Sequence, residues 1–278
     1  MSSKDLKKML SYIKPKKLHM KKLNPTLLPS DLFISTMTVT CSFPTIFKVE
    51  NIGKYLDLSP EGVLSVKYGK KRVRTILQPK PNKKTTKKTT KEPIDLADQC
   101  PKKLSKKDNF HNQATLLVQT KSKPKPVNVK VFCNGSIQMT GCRGPENFTE
   151  TLGILMSLFS REKVILAEDE THFIPIPFTS KPIEIDQVEN IQIRMINSNF
   201  TIDYKINLGA LYATLINAEI TDCTYEPCIH SCVNLKHLQE KEKKITILIF
   251  ESGSIIITGA NHGVHILAAY SYIHNLLY

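Results

Sequence analysis

The 278-residue sequence contains no tryptophan and no apolar run close to the roughly 18 residues that a membrane-spanning helix requires. Its lysine-rich N-terminus lacks the apolar stretch of a secretory signal, so we expect an intracellular protein that is neither secreted nor bound to a membrane. The seven cysteines form no Cys-x-x-Cys pair, and an odd number without such spacing is typical of a reducing compartment. With 41% hydrophobic residues, the chain can nevertheless bury a core.

The sequence also lacks the common signatures of catalysis. It contains no Gly-x-x-x-x-Gly-Lys, Gly-x-Ser-x-Gly or His-Glu-x-x-His motif, so we expect no enzyme, no small-molecule substrate and no cofactor. Cys228, His230 and Cys232 come nearest to a metal site, but ligands at alternate positions would crowd a tetrahedral zinc ion, and we predict no metal there. His262 and His265 lie one helical turn apart without an evident acidic or cysteine partner, which favours a pair on a helix surface.

Positive charge is concentrated in two segments. The chain has 39 Lys+Arg and 25 Asp+Glu, a formal net charge of +14. Residues 1–24 hold eight lysines and one acid, residues 67–107 hold fifteen basic residues and three acids, and the rest of the chain is mildly acidic. Such lysine-rich segments favour attraction to nucleic acid, although a solvated linker or a nuclear-localisation run has the same composition.

An internal repeat gives the strongest structural signal. Phe132–Gly141 and Phe250–Gly259 agree at six of ten positions, 118 residues apart. Each copy has a β-branched run, a two-residue turn that ends in glycine, and a second strand-like run. This pattern predicts a β-hairpin, in which the glycine adopts the positive φ that the turn needs. The periodicity predicts a helix after each hairpin, at Pro145–Phe159 and at about Val264–Leu277.

The repeat extends upstream of the hairpins. In Ile34–Phe43, threonines alternate with apolar residues, as in a strand with one buried face. Met195–Ile202 is the corresponding strand, and the pattern predicts a helical segment after each strand, at Phe47–Leu56 and at Ile206–Thr214. The spacing of these strands exceeds that of the hairpins by 41 residues, which is the length of the basic tract 67–107. We therefore interpret this tract as an insertion that does not pack.

One unit thus has the order β-α-β-β-β-α and occurs twice, with its second strand at Ala114–Thr120 and at Cys232–Leu238. Four antiparallel strands backed by helices make an α+β half. Two pseudo-symmetric halves that meet give one continuous curved antiparallel β-sheet with helices on its convex side. In chain order, we predict a basic tail at 1–30, a first repeat at 31–160 with a disordered basic insert at 67–107, a connector at 161–189 and a second repeat at 190–278.

These residues resemble the TATA-binding proteins. Val129–Gly141 and Ile247–Ala260 are similar to the two hairpins of that family, and Tyr225–Pro227 stands where the family carries a Tyr-Glu-Pro loop. The first hairpin and the long insert most resemble the versions encoded by large nucleocytoplasmic DNA viruses. The resemblance implies a saddle-shaped sheet and a general transcription initiation factor that binds AT-rich double-stranded promoter DNA in the minor groove, bends it and recruits a B-type general transcription factor and RNA polymerase. It is compatible with action in a nucleus or in a cytoplasmic viral factory.

The resemblance also implies which residues contact DNA. Phe132 and Phe250 match one member of each pair of phenylalanines that the family inserts between base steps. Eleven further residues lie at groove-facing positions of the predicted sheet: Thr36, Thr38, Thr40, Lys130, Gln138, Thr140, Asn197, Asn199, Leu248, Ile256 and Thr258.

The second wedge of each pair is where the sequence departs from the family. It aligns with Gln113 in the first repeat and with His230 in the second, and neither side chain is an apolar wedge; Phe110 is a candidate replacement for Gln113. The loss of two of four wedges predicts weaker kinking or a different sequence preference. The alternative is a saddle that serves as a docking platform for transcription proteins, with weak or nonspecific DNA binding.

Two further segments are candidates for contacts. We predict that the 67–107 insert is a tethered electrostatic arm for DNA, with an inert spacer as the alternative. The second candidate is the loop Tyr225, Glu226 and Pro227, which resembles the loop through which the family contacts the B-type factor. The alternative is that Glu226 is only a solvated surface glutamate.

Overall fold

In the computed structural model, two copies of one order of strands and helices are joined by a connector. The first copy consists of β1 (Phe33–Ser42), α1 (Val49–Tyr55), β2 (Val63–Tyr68), β3 (Arg72–Thr75), β4 (Gln113–Thr120), β5 (Lys123–Phe132), β6 (Ser136–Cys142) and α2 (Pro145–Phe159). The connector contributes β7 (Lys163–Leu166) and β8 (Phe173–Ile176). The second copy consists of β9 (Glu189–Thr201), α3 (Leu208–Asn217), β10 (Cys223–Thr224), β11 (Cys232–Leu238), β12 (Lys244–Phe250), β13 (Ser254–Ala260) and α4 (Gly263–Leu277).

The structure describes residues 28–69, 72–77, 112–167, 169–238 and 244–277. The predictions for Phe110, for most of the N-terminal tail and for the greater part of the basic insert lie outside these residues. Within the described ranges, none of the helices has both the length and the hydropathy needed to cross a bilayer.

All strands but β7 and β8 belong to one antiparallel sheet of eleven strands, in the order β10-β11-β12-β13-β9-β1-β6-β5-β4-β2-β3. The first strands of the two copies, β1 and β9, pair at its centre, with Thr36 opposite Asn197 and Thr38 opposite Met195. Thr36 and Met195 occupy equivalent positions of the repeat, as do Thr38 and Asn197. A pseudo-two-fold axis therefore passes between β1 and β9, and the predicted tandem α+β fold is confirmed.

Apolar residues that alternate along the strands form the core between the sheet and the helices. On β1, Met37, Val39 and Cys41 are buried, while the threonines between them are half-buried. The helices contribute fully buried side chains such as Phe148 of α2 and Ile266 of α4. Burial raises the pKa of the Cys41 thiol to about 12, so this cysteine is a packing residue and not a reactive one.

The connector is anchored on the first copy. Phe178 packs against Phe159 with ring centroids 6.3 Å apart, and Phe159 packs against Phe47 at 5.5 Å. The Lys48 amide donates a hydrogen bond to the Phe178 carbonyl (2.8 Å). The aromatic cluster thus fixes the connector on the side of α1 and α2, where it covers the core of the first copy.

The first copy differs from the prediction in two ways. A fifth strand, β2, precedes the insert, and the short β10 is its equivalent in the second copy, whereas four strands per copy were predicted. The strand β3 then pairs with β2, with Lys67 opposite Val73. The prediction of an unpacked insert from residue 67 is therefore wrong for 67–69 and 72–77, because β-branched residues such as Val73 and Thr75 pair along β2 despite their basic neighbours.

Both hairpin turns require glycine. Gly135 and Gly253 have φ angles of 86° and 82°, which L-residues with a side chain rarely adopt. A Cβ on Gly135 would lie 2.6 Å from the Thr45 carbonyl oxygen, and one on Gly253 would lie 2.7 Å from the Tyr204 carbonyl oxygen. Each glycine amide also donates to the carbonyl of the phenylalanine that ends the preceding strand, at 3.2 and 3.0 Å. The turns therefore fix the backbone of these two phenylalanines.

Candidate nucleic-acid interface

The sheet face opposite the helices carries half-buried side chains, and we call it the open face. Because directly opposed residues of antiparallel strands point to the same side, the pairing register identifies its members. All thirteen residues that were predicted to bind DNA lie on it: Thr36, Thr38, Thr40, Lys130, Phe132, Gln138, Thr140, Asn197, Asn199, Leu248, Phe250, Ile256 and Thr258. The fold thus assembles one continuous surface from six strands.

Two rows of cross-strand neighbours run outward from the centre of the open face. The first-repeat row crosses β1, β6 and β5 at Thr40, Gln138 and Lys130. The second-repeat row crosses β9, β13 and β12 at Asn199, Ile256 and Leu248. The rows occupy equivalent positions of the two copies, so the surface has two matching halves that differ in side-chain chemistry.

Hydrogen bonds between side chains order the centre of the open face. In the second repeat, the Thr258 hydroxyl donates to Asn197 Oδ1 at 2.6 Å. In the first repeat, the equivalent residues are Thr140 and Thr38, whose hydroxyls lie 3.5 Å apart. The Asn197 amide nitrogen is directed away from Thr258, and an amide nitrogen is a suitable donor for the base acceptors of a minor groove.

Phe132 and Phe250 end β5 and β12, where they lie half-buried on the open face. Gln113 lies directly opposite Phe132. The residue opposite Phe250 is Cys232, which is buried and whose thiol pKa is raised by that burial, whereas His230 is an exposed residue of the turn before β11. The structure therefore brings Gln113 to the phenylalanine of its repeat, but it does not place His230 across from the phenylalanine of the other.

Basic side chains accompany the polar ones. The Arg194 side chain donates from Nε to the Thr40 hydroxyl (3.1 Å), and Lys236 donates from Nζ to the Thr246 hydroxyl (2.7 Å). Lys130 belongs to the first-repeat row. Cations at these positions can neutralise phosphates, which provides sequence-independent and salt-dependent attraction to DNA.

Phe33 and Gln192 are members of the open face that sequence analysis did not predict. A β-bulge between Ile34 and Thr36 places Phe33 opposite Asn199, and 60% of the Phe33 surface is exposed. A second irregularity places Gln192 opposite Thr40. Strict alternation along β1 and β9 would place both residues on the buried side of the sheet. The bulges shift the alternation by one residue and so bring both side chains to the open face.

The predicted partner loop follows β10 at one end of the sheet. The Tyr225 ring is half-buried and packs against Tyr212 of α3, with centroids 6.1 Å apart. Glu226 and Pro227 are exposed, and the Glu226 carbonyl accepts a hydrogen bond from the His230 amide (2.8 Å). The tyrosine thus fixes a tight turn that presents an exposed carboxylate.

Both groupings singled out in the sequence, Cys228 with His230 and Cys232, and His262 with His265, lie within the described residues. In the part of the chain that the structure describes, no group of three His, Cys, Asp or Glu side chains could hold a metal ion. His262 Nδ1 accepts the Val264 amide (3.2 Å) at the start of α4, and its ring lies 5.9 Å from that of His265. This pair belongs to the first turn of the helix, as an N-terminal cap and its neighbour.

The second repeat and the chain as a whole match known sequences. Residues 190–278 match the family described as "Transcription factor TFIID (or TATA-binding protein, TBP)". Over 261 residues, the chain is 34% identical to the TATA-box-binding protein-like protein of Acanthamoeba polyphaga mimivirus, an alignment that covers 88% of this chain and 64% of that relative. The chain therefore spans less than two thirds of that relative's length. It is also 29% identical over 164 residues to TATA-box-binding protein 2 of Haloferax volcanii, covering 59% of this chain and 72% of the relative.

The fold also has a solved counterpart. The structure of Methanococcus jannaschii TBP matches with a TM-score of 0.50 at 15% sequence identity, and the match covers 88% of this chain and 97% of the other. At that identity the likeness concerns the fold. It agrees with the predicted saddle-shaped sheet with helices on the convex side.

Proposed function

We propose that the chain is a divergent member of the TATA-binding protein family and a transcription initiation factor that binds promoter DNA in the minor groove through its open face. The observation that carries the proposal is the assembly of thirteen half-buried side chains on the one sheet face that the helices leave uncovered.

The chemistry of the open face suits a minor groove. An A·T pair presents acceptors there but no donor, whereas a G·C pair adds the guanine amino group. Threonine hydroxyls and the Asn197 and Asn199 amides can donate to those acceptors. Leu248 and Ile256 supply the apolar surface that packs on sugars and on the groove floor. The combination favours AT-rich duplexes.

Bending rests on the two phenylalanines. Phe132 and Phe250 lie at the ends of the two equivalent hairpins on the same face, one on each side of the central β1 and β9 pair. Apolar wedges at such positions unstack a base step and kink the duplex toward the major groove, which allows a curved sheet to contact more of the DNA. With one phenylalanine per repeat, we propose a kink at each end of the bound site.

Recruitment is assigned to the loop after β10. Glu226 is exposed on a turn that Tyr225 holds in place, and it lies in the second repeat at the end of the sheet. We propose that this loop binds a B-type general transcription factor, which in turn brings RNA polymerase to the promoter.

A second candidate function is a docking platform that binds DNA weakly or nonspecifically. Its support is the polar Gln113 opposite Phe132 and the absence of an aromatic residue opposite Phe250, where Cys232 stands. These substitutions remove half of the apolar wedges that bending requires.

Fluorescence energy transfer between the two ends of a labelled duplex separates the two functions. We expect the protein to shorten the end-to-end distance of an AT-rich duplex more than that of a GC-rich duplex. The double variant Phe132→Ala/Phe250→Ala should lose this shortening. The matched control is Phe173→Ala, which removes a phenylalanine that is 72% exposed on the connector and should bend DNA normally.

The remaining outcomes point elsewhere. Binding without a change in energy transfer, at equal affinity for both duplexes, favours the docking platform with nonspecific attraction through lysines. Bending that survives in the double variant removes the phenylalanines from the proposed mechanism.

A further inference from the structure

The two halves of the open face differ in a consistent direction. The pseudo-two-fold relates each residue of the first-repeat row to one of the second-repeat row. Including the bulge residues, the first-repeat row contains Gln192, Thr40, Gln138 and Lys130. The second-repeat row contains Phe33, Asn199, Ile256 and Leu248. At three of the four equivalent positions, a hydrophobic side chain in the second row replaces a polar or charged one in the first.

The charges follow the same division. Arg194 reaches the first-repeat row through its hydrogen bond to Thr40, and the row continues outward from Lys130 through Thr115 to Lys67. The second-repeat row continues outward from Leu248 through uncharged Asn234 and Thr224. The first-repeat row is therefore polar and cationic, and the second-repeat row is neutral and largely apolar, since the lysine of the second half, Lys236, lies outside this row beside Thr246.

The minor groove distinguishes these two surfaces. A guanine amino group that faces Ile256 and Leu248 would lose its hydrogen bonds to water and find no acceptor, so the second-repeat half discriminates against G·C pairs. The Gln138 side-chain oxygen is an acceptor that can receive this amino group, and Lys130 can donate to purine N3 and pyrimidine O2. The first-repeat half therefore tolerates G·C pairs.

We infer that the protein binds a composite site in one direction, with its second repeat over A·T pairs and its first repeat over a half-site that accepts G·C pairs, and that Lys130 and Gln138 determine this direction. The inference rests on the proposed minor-groove binding and adds a specificity to it. A directional complex fixes on which side of the site the exposed Glu226 loop lies.

The test uses a composite duplex with one AT-rich and one GC-rich half. A donor dye is attached to Cys228, an exposed cysteine of the second repeat, in a protein with Cys100→Ser and Cys133→Ser. An acceptor is placed on either end of the duplex. We expect more efficient energy transfer to an acceptor at the AT-rich end than to one at the GC-rich end. The ratio of the two bound orientations should be roughly tenfold, the size of one good base discrimination.

Substitution should then remove the direction. In Lys130→Leu/Gln138→Ile, the first-repeat row acquires the side chains of the second, and we expect the orientation preference on the composite duplex to fall to less than twofold. Affinity for an all-AT duplex is measured in parallel, because loss of the Lys130 charge lowers affinity equally in both orientations. The conservative variant Gln138→Asn keeps an acceptor and should keep the preference.

The outcomes separate this inference from the function on which it rests. Bending of the AT-rich duplex with equal transfer from both ends of the composite duplex overturns the direction alone. A preference that persists in Lys130→Leu/Gln138→Ile also overturns it, because the direction would then arise elsewhere. Failure to bend any duplex contradicts the proposed function and the inference together.

Discussion

Gln113 lies directly opposite Phe132 where β4 pairs with β5. A phenylalanine at this position would stand beside the existing one on the open face. We expect Gln113→Phe to increase the bend of an AT-rich duplex and to raise affinity roughly three- to tenfold, the range of one added aromatic pair. Energy transfer across the duplex and a binding titration measure both effects.

The matched control for this gain is His230→Phe. His230 is exposed in the turn before β11 and is not the residue opposite Phe250, so the added ring should change bending less than Gln113→Phe does. Equal gains from the two variants would show that cross-strand placement does not matter.

The hydrogen bond from Thr258 to Asn197 predicts an asymmetric response to loss of a hydroxyl. In Thr258→Val, Asn197 loses the 2.6 Å bond that orients its amide, and we expect affinity for an AT-rich duplex to fall roughly fivefold, the net effect of about one hydrogen bond. The equivalent change Thr140→Val removes only a 3.5 Å contact to Thr38. Its effect should stay below twofold, and a larger loss in Thr140→Val than in Thr258→Val would contradict the assignment.

Gly135 and Gly253 are crowded by backbone oxygens, whereas Gly69, which also has a positive φ, has open space around its Cβ position. Gly135→Ala and Gly253→Ala place a Cβ against backbone oxygens, at 2.6 Å in each case, and we expect each to lower the free energy of unfolding by roughly 3 kcal/mol. Gly69→Ala is the control, because Gly69 has a φ of 63° and nothing within 4 Å of its Cβ position. It should cost only about 1 kcal/mol. Denaturant titration measures all three variants, and equal losses would remove the role of the carbonyl contacts.

Glu150 predicts a dependence of stability on pH. Partial burial raises the pKa of this carboxyl, but hydrogen bonds from the Ser122 hydroxyl and from the Lys121 and Ser122 amides outweigh that effect and hold the pKa below its ordinary value. A lowered folded-state pKa means that the stabilisation is fully present above the ordinary value of 4.5 and is lost as the pH falls through the folded-state pKa.

We therefore expect Glu150→Gln to lower the melting temperature by roughly 2–4 °C at about pH 6, with a difference from the native protein that shrinks at about pH 3. Glu162→Gln, at an exposed glutamate after α2, is the control for the removal of a carboxylate from the protein surface. A constant difference across the range would mean that the charge of Glu150 is not involved.

The basic insert predicts a salt dependence. Residues 78–107 hold ten lysines and three acids. Replacement of this segment by a glycine–serine linker of equal length should flatten the plot of log affinity against log salt, by roughly one unit for each phosphate that the lysines of the insert neutralise. The linker preserves the chain length between β3 and β4, so an unchanged slope would identify the insert as a spacer.

Most of the fold could be predicted because its signals are local or repeated. α2 begins at Pro145 and ends at Phe159, as predicted, because the proline and the apolar spacing lie within the helix itself. Both hairpins could be located because the motif that begins at Phe132 recurs at Phe250. Matching residues in two copies identify which residues form each turn. The thirteen residues were identified from the resemblance to the TATA-binding proteins, and their common face agrees with the alternation along each strand.

The remaining features depend on pairing that no local pattern contains. β10 has two residues and β3 has four, too few for a periodicity, and the basic residues around β3 have the composition of a solvated segment. The bulges that bring Phe33 and Gln192 to the open face arise where β1 and β9 pair with each other. Neither strand signals by itself that its alternation is interrupted.

The two borders of the eleven-stranded sheet are unlike each other, and both discourage self-association. Within the residues that the structure describes, β3 forms one border, and its sequence Arg72-Val-Arg-Thr75 has arginines at alternate positions. At the other border, β10 offers only two residues to an incoming strand. Among the described strands, the arginines at one border and the shortness of the other disfavour edge-to-edge stacking of neighbouring molecules into filaments, so the protein should withstand the high local concentrations at which open sheets aggregate.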